Sequence, residues 1–311
     1  MIRGGNVVEA AMRGTNDPPL GSKGERIDVS CDLCGADAKE LLFEKNTFRH
    51  VRCCHCGLVY VTPRLKDSSG QQENFYDGLA NYSDDFEGIS SRDYGGSRKK
   101  RLLAEAASYK KYDKTGRILD IGCGFGGFLK AAFEMGWKCP EGIEIAPQPA
   151  SYVQRFFPVK TRSIEEDPYE ESFFDVVRLN NVIEHLPSPK RLLTSVHDIV
   201  RVGGLFSIST TNFDSFSVAI CGSHWQYIGG DNHVYLFTPK TLVRLLEDTG
   251  FRVILTKTRG INLTPKDYSN KHTPPLDRFF SKNIRRVEKG LDLLVRHTRK
   301  GHRLKVWAEK V

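Results

Sequence analysis

The 311-residue sequence predicts an α/β fold: a parallel sheet covered by helices, preceded by a small cysteine-rich module. Short aliphatic runs alternate with segments of helical period over the last two thirds of the chain. A glycine-rich turn follows the first of these runs, and five of the eight cysteines lie between residues 31 and 56. A hydrophobic content of 39% with 27% charged residues excludes a collagen, a coiled-coil rod and a wholly disordered chain.

The N-terminal cysteines form two CxxC pairs, Cys31-Asp-Leu-Cys34-Gly and Cys53-Cys-His-Cys56-Gly, separated by 18 residues. This spacing predicts a zinc ribbon in which Cys31, Cys34, Cys53 and Cys56 bind Zn²⁺. Four thiolates leave no position open for water, so the predicted role is structural. Cys54 and His55 lie inside the second pair and remain alternative ligands, and buried or incidental thiols are the other interpretation. Strands are expected at 41–43, 48–51 and 58–61.

The organisation of the chain follows from its composition. Residues 1–28, rich in Gly, Asn, Pro and charge, are predicted to be a flexible tail, and residues 29–66 the ribbon. Residues 67–95 are polar with interleaved aromatic residues, which predicts a connector or lid, with an ordinary surface loop as the alternative. Residues 96–311 are the main domain, beginning with a helix at 96–112.

The segment from Arg117 to Lys130, RILDIGCGFGGFLK, contains the predicted ligand site. A buried strand ends at Ile121, glycines form a tight turn, and a helix opens near Gly127. Glycine permits a close approach of backbone to ligand, and the helix N-terminus offers N–H groups to it. Asp120 at the strand end would repel a pyrophosphate but attract an ammonium group.

Together, LDIGCGFG and FDVVRLNNVIEHLP resemble the first and fourth motifs of the class I S-adenosylmethionine-dependent methyltransferases. The resemblance covers about residues 97–258 and resumes at the final strand. It implies an enzyme that uses S-adenosylmethionine, with a seven-stranded Rossmann-like sheet whose last strand is inserted antiparallel. Strands are expected near 117–121, 139–143, 159–162, 173–179, 204–210, 252–258 and 302–309. Helices are expected near 127–135, 147–156, 189–200 and 239–249.

The resemblance also implies the cofactor contacts. Glu144 ends the second strand, where a carboxylate binds both ribose hydroxyls. Relatives often carry an Asp at the adenine edge, where this chain has Ser163, so Ile164 and Glu165 become candidates there. Asn180 and Asn181 end the fourth strand, near the expected sulfonium and amino-acid moiety. The full predicted set is Asp120, Gly122, Cys123, Gly124, Gly126, Glu144, Ile145, Ser163, Ile164, Glu165, Asn180 and Asn181.

Methylation of an oxygen calls for a base, and histidine has the best-suited pKa. His185 follows the fourth strand, and its other interpretation is a residue that caps the turn or lines the pocket. His233 lies in the loop after the fifth strand, where Asp231 could orient it, and a satisfied loop histidine is the alternative. Trp225 and Tyr227 suit a sugar or aromatic acceptor, or belong to the core. His302 is expected at a surface or helical position.

The net charge of +8 is concentrated at the C-terminus, because residues 252–311 contain 16 basic and 5 acidic residues. Within the insertion 259–301, an amphipathic basic helix is predicted from Pro275. It could bind an anionic membrane surface, a phosphorylated substrate or nucleic acid. The favoured interpretation packs its apolar stripe on the domain or on a second subunit of a homodimer.

The favoured function is therefore methylation of a small-molecule acceptor. Methyltransferases with such a ribbon and an EHLP-type motif are similar to enzymes of polysaccharide and secondary-metabolite biosynthesis, which implies a sugar or nucleotide-sugar hydroxyl. A ubiquinone-type phenol O-methyltransferase, an RNA methyltransferase and a non-enzymatic binding protein remain alternatives. The sequence has no apolar signal segment or spanning run, so we expect a cytoplasmic protein that can associate peripherally with a membrane.

Overall fold

The computed structural model describes residues 25–45, 47–66, 94–229, 232–263, 295 and 298–311. The strands are β1 (Arg26–Ile27), β2 (Lys39–Lys45), β3 (Phe48–Cys53), β4 (Val59–Val61), β5 (Arg64–Leu65), β6 (Arg117–Ile121), β7 (Cys139–Ile143), β8 (Val159–Lys160), β9 (Phe174–Asn180), β10 (Val200–Thr211), β11 (Tyr235–Leu236), β12 (Phe251–Arg259) and β13 (Arg303–Lys310). The α-helices are α1 (Gly96–Ser108), α2 (Gly127–Glu134), α3 (Pro147–Val153), α4 (Pro189–Ile199), α5 (Phe216–Cys221) and α6 (Pro239–Asp248).

The main sheet has seven strands in the order β12-β13-β10-β9-β6-β7-β8. β8, β7, β6, β9 and β10 pair in parallel, whereas β13 is antiparallel to both β10 and β12. The predicted Rossmann-like sheet with an inserted antiparallel last strand is thereby confirmed. The carboxyl ends of the parallel strands meet at one edge, where ligands bind in such sheets.

Helices cover both faces of this sheet because its central strands carry apolar side chains on both sides. Ile118 and Val176 face one side, where they form a buried cluster with α1 and α2. The next residues along the strands, Leu119 and Val177, share a second cluster with α4 and α6. Alternate residues of a strand point to opposite faces, so these two clusters are the two halves of the core.

The ribbon is integrated into the main domain. β2, β3 and β4 pair antiparallel, and β11, which the main domain contributes, adds to β4 as a fourth strand. Cys31 and Leu33 belong to the same buried cluster as the sheet strands. β1, at the end of the predicted tail, pairs with β5. The ribbon therefore contacts the main domain through both a shared sheet and a shared core.

Some predicted features lie outside the described residues. They are the tail up to residue 24, the connector at 67–93, Asp231, and most of the predicted basic helix. Among the residues described, no helix combines the length and the apolar character needed to cross a bilayer.

Candidate active site and cysteine cluster

The glycine turn after β6 is held against the end of β7. Gly122, Gly124 and Gly126 all have positive φ, of 72°, 54° and 75°. A β-carbon on Gly122 would lie 2.4 Å from Val182, whereas one on Gly124 would meet nothing within 4 Å. Gly124 also lines a cavity of about 1810 Å³ at the carboxyl edge of the sheet. The open side of Gly124 thus faces space that a ligand can enter.

Glu144 fixes this turn. Its Oε2 accepts a hydrogen bond from the Gly124 N–H and its Oε1 one from the Ala146 N–H, both at 2.9 Å. The residue is 3% exposed and lines the cavity. The carboxylate therefore both holds the glycine turn and forms part of the cavity wall.

Asp120 is part of a buried ion-pair network that sequence reasoning did not find. Its Oδ1 accepts a bond from Arg178 Nη1 at 2.7 Å, and Arg178 Nε also contacts Glu105 at 3.2 Å. Burial raises the pKa of Asp120 to about 6, although Arg178 acts in the other direction. Burial also acts to raise the pKa of Glu105, but Arg178 and Lys305 outweigh it and hold this pKa below its usual value. The guanidinium of Arg178 therefore lies next to the carboxylate that we predict to bind the ammonium group of the cofactor.

The other predicted cofactor residues reach the same cavity. Ser163, Ile164 and Glu165 line it, although the side chain of Ile164 is buried. Ile145 is 46% exposed, which suits the apolar face of a ligand ring. The remaining members of the predicted set that line the cavity are Asp120, Gly122, Cys123, Asn180 and Asn181. Gly126 instead forms the left-handed N-cap of α2. The structure brings the set together, and the individual contacts remain predictions.

The two predicted histidines meet in this cavity. The ring centroids of His185 and His233 are 4.7 Å apart at an interplanar angle of 85°. His185 Nδ1 lies 2.9 Å from the carbonyl oxygen of Asn232. Because a carbonyl oxygen can only accept, Nδ1 carries the hydrogen and Nε2 is left to take a proton. Tyr227 stacks on His233 at 5.7 Å.

Glu184, which was not among the predicted site residues, lies beside both histidines. It is 1% exposed, and the hydroxyl of Thr210 lies close to its carboxyl group. Burial raises its pKa, and His185 and Thr210 partly offset this. The ligand atoms of Glu184, His185 and His233 lie within 4.8 Å of one another. In such a group, the carboxylate can stabilise a protonated histidine. Two imidazoles and one carboxylate are also a ligand set that binds transition metals.

The four predicted zinc ligands also converge. Their sulfur atoms lie within 4.8 Å of one another, with Cys31 Sγ 3.4 Å from Cys56 Sγ and Cys34 Sγ 3.5 Å from Cys53 Sγ. Tetrahedral zinc with bonds of about 2.3 Å needs sulfurs about 3.8 Å apart. Burial raises the pKa of Cys56 to about 11, so this thiol favours the thiolate form only beside a cation. Burial acts in the same direction on Cys53, but backbone hydrogen bonds outweigh it and lower the pKa of Cys53 to about 7. Cys54 is exposed and lies outside the cluster.

The ribbon contacts the segment that carries the histidines. Asp32, between the two cysteines of the first pair, accepts hydrogen bonds from Ser188 Oγ and Lys190 N, both at 2.8 Å. It thereby caps α4, which follows the segment containing His185. On the other side, Val61 N donates to Val234 O at 2.9 Å, directly after His233. These contacts therefore connect the ribbon to the two segments that carry His185 and His233.

One sequence expectation is wrong. His302 is not a surface residue, because it is 7% exposed directly before β13 and lines the cavity. Of the two interpretations of Trp225, the structure supports the core, because this residue is fully buried and donates from Nε1 to the carbonyl of Asn262. Tyr227 remains available at the cavity wall.

Comparison with known proteins agrees with this geometry. A family model described as a methyltransferase domain matches residues 91–256, more than half of the chain. A ubiquinone biosynthesis O-methyltransferase of Shewanella sp. (strain ANA-3) is 27% identical over 52% of this chain and 73% of its own. Its counterpart in Vibrio atlanticus (strain LGP32) is 28% identical over 43% of this chain and 62% of its own. In fold, the chain is similar to an S-adenosylmethionine-dependent methyltransferase structure from Archaeoglobus fulgidus, with TM-score 0.50, 24% identity, and coverage of 73% of this chain and 100% of the other.

Proposed function

The chain belongs to the methyltransferase-domain family and is an S-adenosylmethionine-dependent methyltransferase, and from that premise we propose that it methylates a hydroxyl group of a small-molecule acceptor. The observation that carries this proposal is the pair of histidines beside a buried carboxyl group in the cavity. Nitrogen acceptors of low pKa need no base, whereas a hydroxyl must lose its proton. A base in this position therefore favours an oxygen acceptor over a nitrogen acceptor.

The residues of the cavity fit the cofactor. The open side of Gly124 allows a close approach, and the Glu144 carboxylate lies at the cavity wall, where it would accept hydrogen bonds from ribose hydroxyls. Ile145 offers an apolar surface to the adenine ring. When bound, S-adenosylmethionine supplies an electrophilic methyl group. The main task of the protein is then to align the acceptor oxygen with that group.

The chain's own residues would remove the acceptor proton. We assign this step to His233 and His185, since the Asn232 carbonyl orients His185 with Nε2 ready to accept a proton. Glu184 would stabilise the imidazolium that results, because the carboxyl group lies against both rings. Asp231, the partner expected for His233, lies outside the described residues, so its role remains a prediction.

The acceptor we propose first is a sugar or nucleotide-sugar hydroxyl in polysaccharide or secondary-metabolite biosynthesis. Tyr227 at the cavity wall supports it, since a ring face packs well against a sugar. A ubiquinone-type phenol is the second candidate, supported by the names of the curated relatives at 27–28% identity.

For the cysteine cluster we propose one structural Zn²⁺. The support is the sulfur spacing, together with tight turns in which Gly35 N donates to Cys31 O and Gly57 N to Cys53 O. Gly35 and Gly57 adopt φ of 72° and 79°, which only glycine takes without strain. Zinc would tie these two turns together and so hold the ribbon against the segment carrying His185.

The base is tested by the variants His233→Gln and His185→Gln, with the exposed His224→Gln as the matched control. The acceptor comes from a screen of nucleotide sugars, phenols and RNA with labelled S-adenosylmethionine. Loss of the base should lower kcat by about 10²- to 10⁴-fold at unchanged cofactor affinity. If both variants retain wild-type kcat, the assignment of the base is wrong.

A further inference from the structure

The two edge strands of the main sheet place like charges opposite each other. In the antiparallel pair of β12 and β13, Lys257 is the partner of Lys305, and Arg259 is the partner of Arg303. Cross-strand partners share one face, as do residues two apart on a strand, so these four cations form one block. Directly opposed like charges destabilise a sheet, so this arrangement has a cost for folding.

Helix α1 adds further positive charge to the block. Arg98 and Arg101 line the same cavity as Arg303. Burial and then the charges of Arg303 and Arg98 lower the pKa of Arg101. We call the six residues that line this side of the cavity the cationic wall: Arg98, Arg101, Lys257, Arg259, Arg303 and Lys305. They come from three separate elements, α1, β12 and β13.

Little negative charge compensates this wall. Glu105 accepts from Lys305 Nζ at 2.6 Å, but the same carboxylate also contacts Arg178. In the ranges that the structure describes, no carboxylate lies within ion-pair distance of Arg101, Arg259 or Arg303. A concave surface with uncompensated cations concentrates anions.

The cationic wall belongs to the cavity that also contains the glycine turn and the two histidines. Arg259 ends β12 and Arg303 begins β13, so both lie at the carboxyl edge of the parallel strands, where the acceptor must enter. Arginine forks match the geometry of phosphate oxygens. Arg178 and Glu105 already neutralise each other deeper in the site, whereas Arg259 and Arg303 have no carboxylate at ion-pair distance in the described part of the chain and can bind a ligand.

We propose that the cationic wall binds a diphosphate group on the acceptor while its hydroxyl lies at the histidine pair. This inference rests on the proposed small-molecule acceptor and narrows it to a phosphorylated class. A nucleoside diphosphate sugar and a lipid-linked diphosphate sugar share this chemistry. A neutral phenol has no phosphate group that could bind to the cationic wall.

The test is calorimetric titration of inorganic pyrophosphate into the full-length protein saturated with S-adenosylhomocysteine. Arg259→Gln and Arg303→Gln should each weaken binding by about tenfold or more, the effect of losing a charge-assisted hydrogen bond. Because each change removes a like-charge repulsion, neither should lower the melting temperature. Arg252→Gln is the matched control, because Arg252 lies at the opposite end of β12 from Arg259 and forms an ion pair with Glu309. This variant should bind pyrophosphate as tightly as the wild type.

Competition then identifies the source of the diphosphate. Displacement of pyrophosphate mainly by uridine diphosphate supports a soluble nucleotide sugar, and displacement mainly by geranyl diphosphate supports a lipid-linked one. The inference is overturned if pyrophosphate does not bind, if both arginine variants bind like the wild type, or if only a single-stranded RNA displaces it. Cofactor affinity, measured in parallel, separates this failure from a failure of the methyltransferase site itself.

Discussion

The carboxylate of Glu144 offers a direct test of the cofactor site through the variant Glu144→Gln. Oε1 and Oε2 each accept one backbone hydrogen bond, from Ala146 and Gly124. An amide has only one acceptor oxygen, so the variant must break one of these bonds and point an NH₂ group at a backbone N–H. It also removes the charged acceptor that we place against the ribose hydroxyls.

Hydrogen bonds to a charged group contribute about 1.5–3 kcal/mol each, so losing one should weaken S-adenosylmethionine binding roughly 10- to 150-fold. Calorimetric titration measures this, and thermal unfolding verifies that the variant folds. Glu141→Gln is the control, because Glu141 lies on β7, three residues before Glu144, and does not line the cavity. A folded Glu144→Gln protein with wild-type affinity would refute our placement of the ribose.

Three other perturbations test the ribbon and the ion-pair network. Asp32→Ala removes the cap of α4 and should lower the free energy of unfolding by about 1 kcal/mol in urea titration, whereas the exposed Asp37→Ala should not. Cys34→Ser should lose bound zinc in elemental analysis, while Cys54→Ser should retain it; equal zinc contents would exclude the four-thiolate site. The lowered pKa of Glu105 means that, as pH falls below 4.5, the unfolded state takes up its proton first. The free energy of unfolding should therefore decrease as pH falls through this range, and it should decrease less steeply in Glu105→Gln. If the wild type and the variant lose stability with the same slope, the ion-pair network is contradicted.

The features that sequence predicted well depend on local patterns. The predicted strand at 117–121 has the same bounds as β6, and the predicted helix start at Gly127 is the first residue of α2. Both were predictable because a buried run, a glycine turn and a helical period follow one another in the sequence. The cysteine pairs likewise carry their spacing in the sequence. Such signals need only neighbouring residues.

The features that were missed arise from tertiary contacts. β11 has only two residues, and it is a strand because β4, far away in sequence, provides its hydrogen-bond partners. Arg178 is one charged residue in a buried strand, and its role depends on Asp120 opposite it on β6. The like-charge pairs of β12 and β13 depend on the register of two strands separated by the insertion. No local pattern encodes these pairings.

The measurement that tests the central claim most directly is the fate of a ¹³C-labelled methyl group transferred from S-adenosylmethionine. The protein is incubated with pooled nucleotide sugars, lipid-linked sugars, phenols and RNA, and the product is identified by nuclear magnetic resonance. The account predicts a methyl ether on a diphosphate-bearing small molecule, formed far more slowly by His233→Gln. Label on a nitrogen or carbon atom, or in RNA, would contradict it.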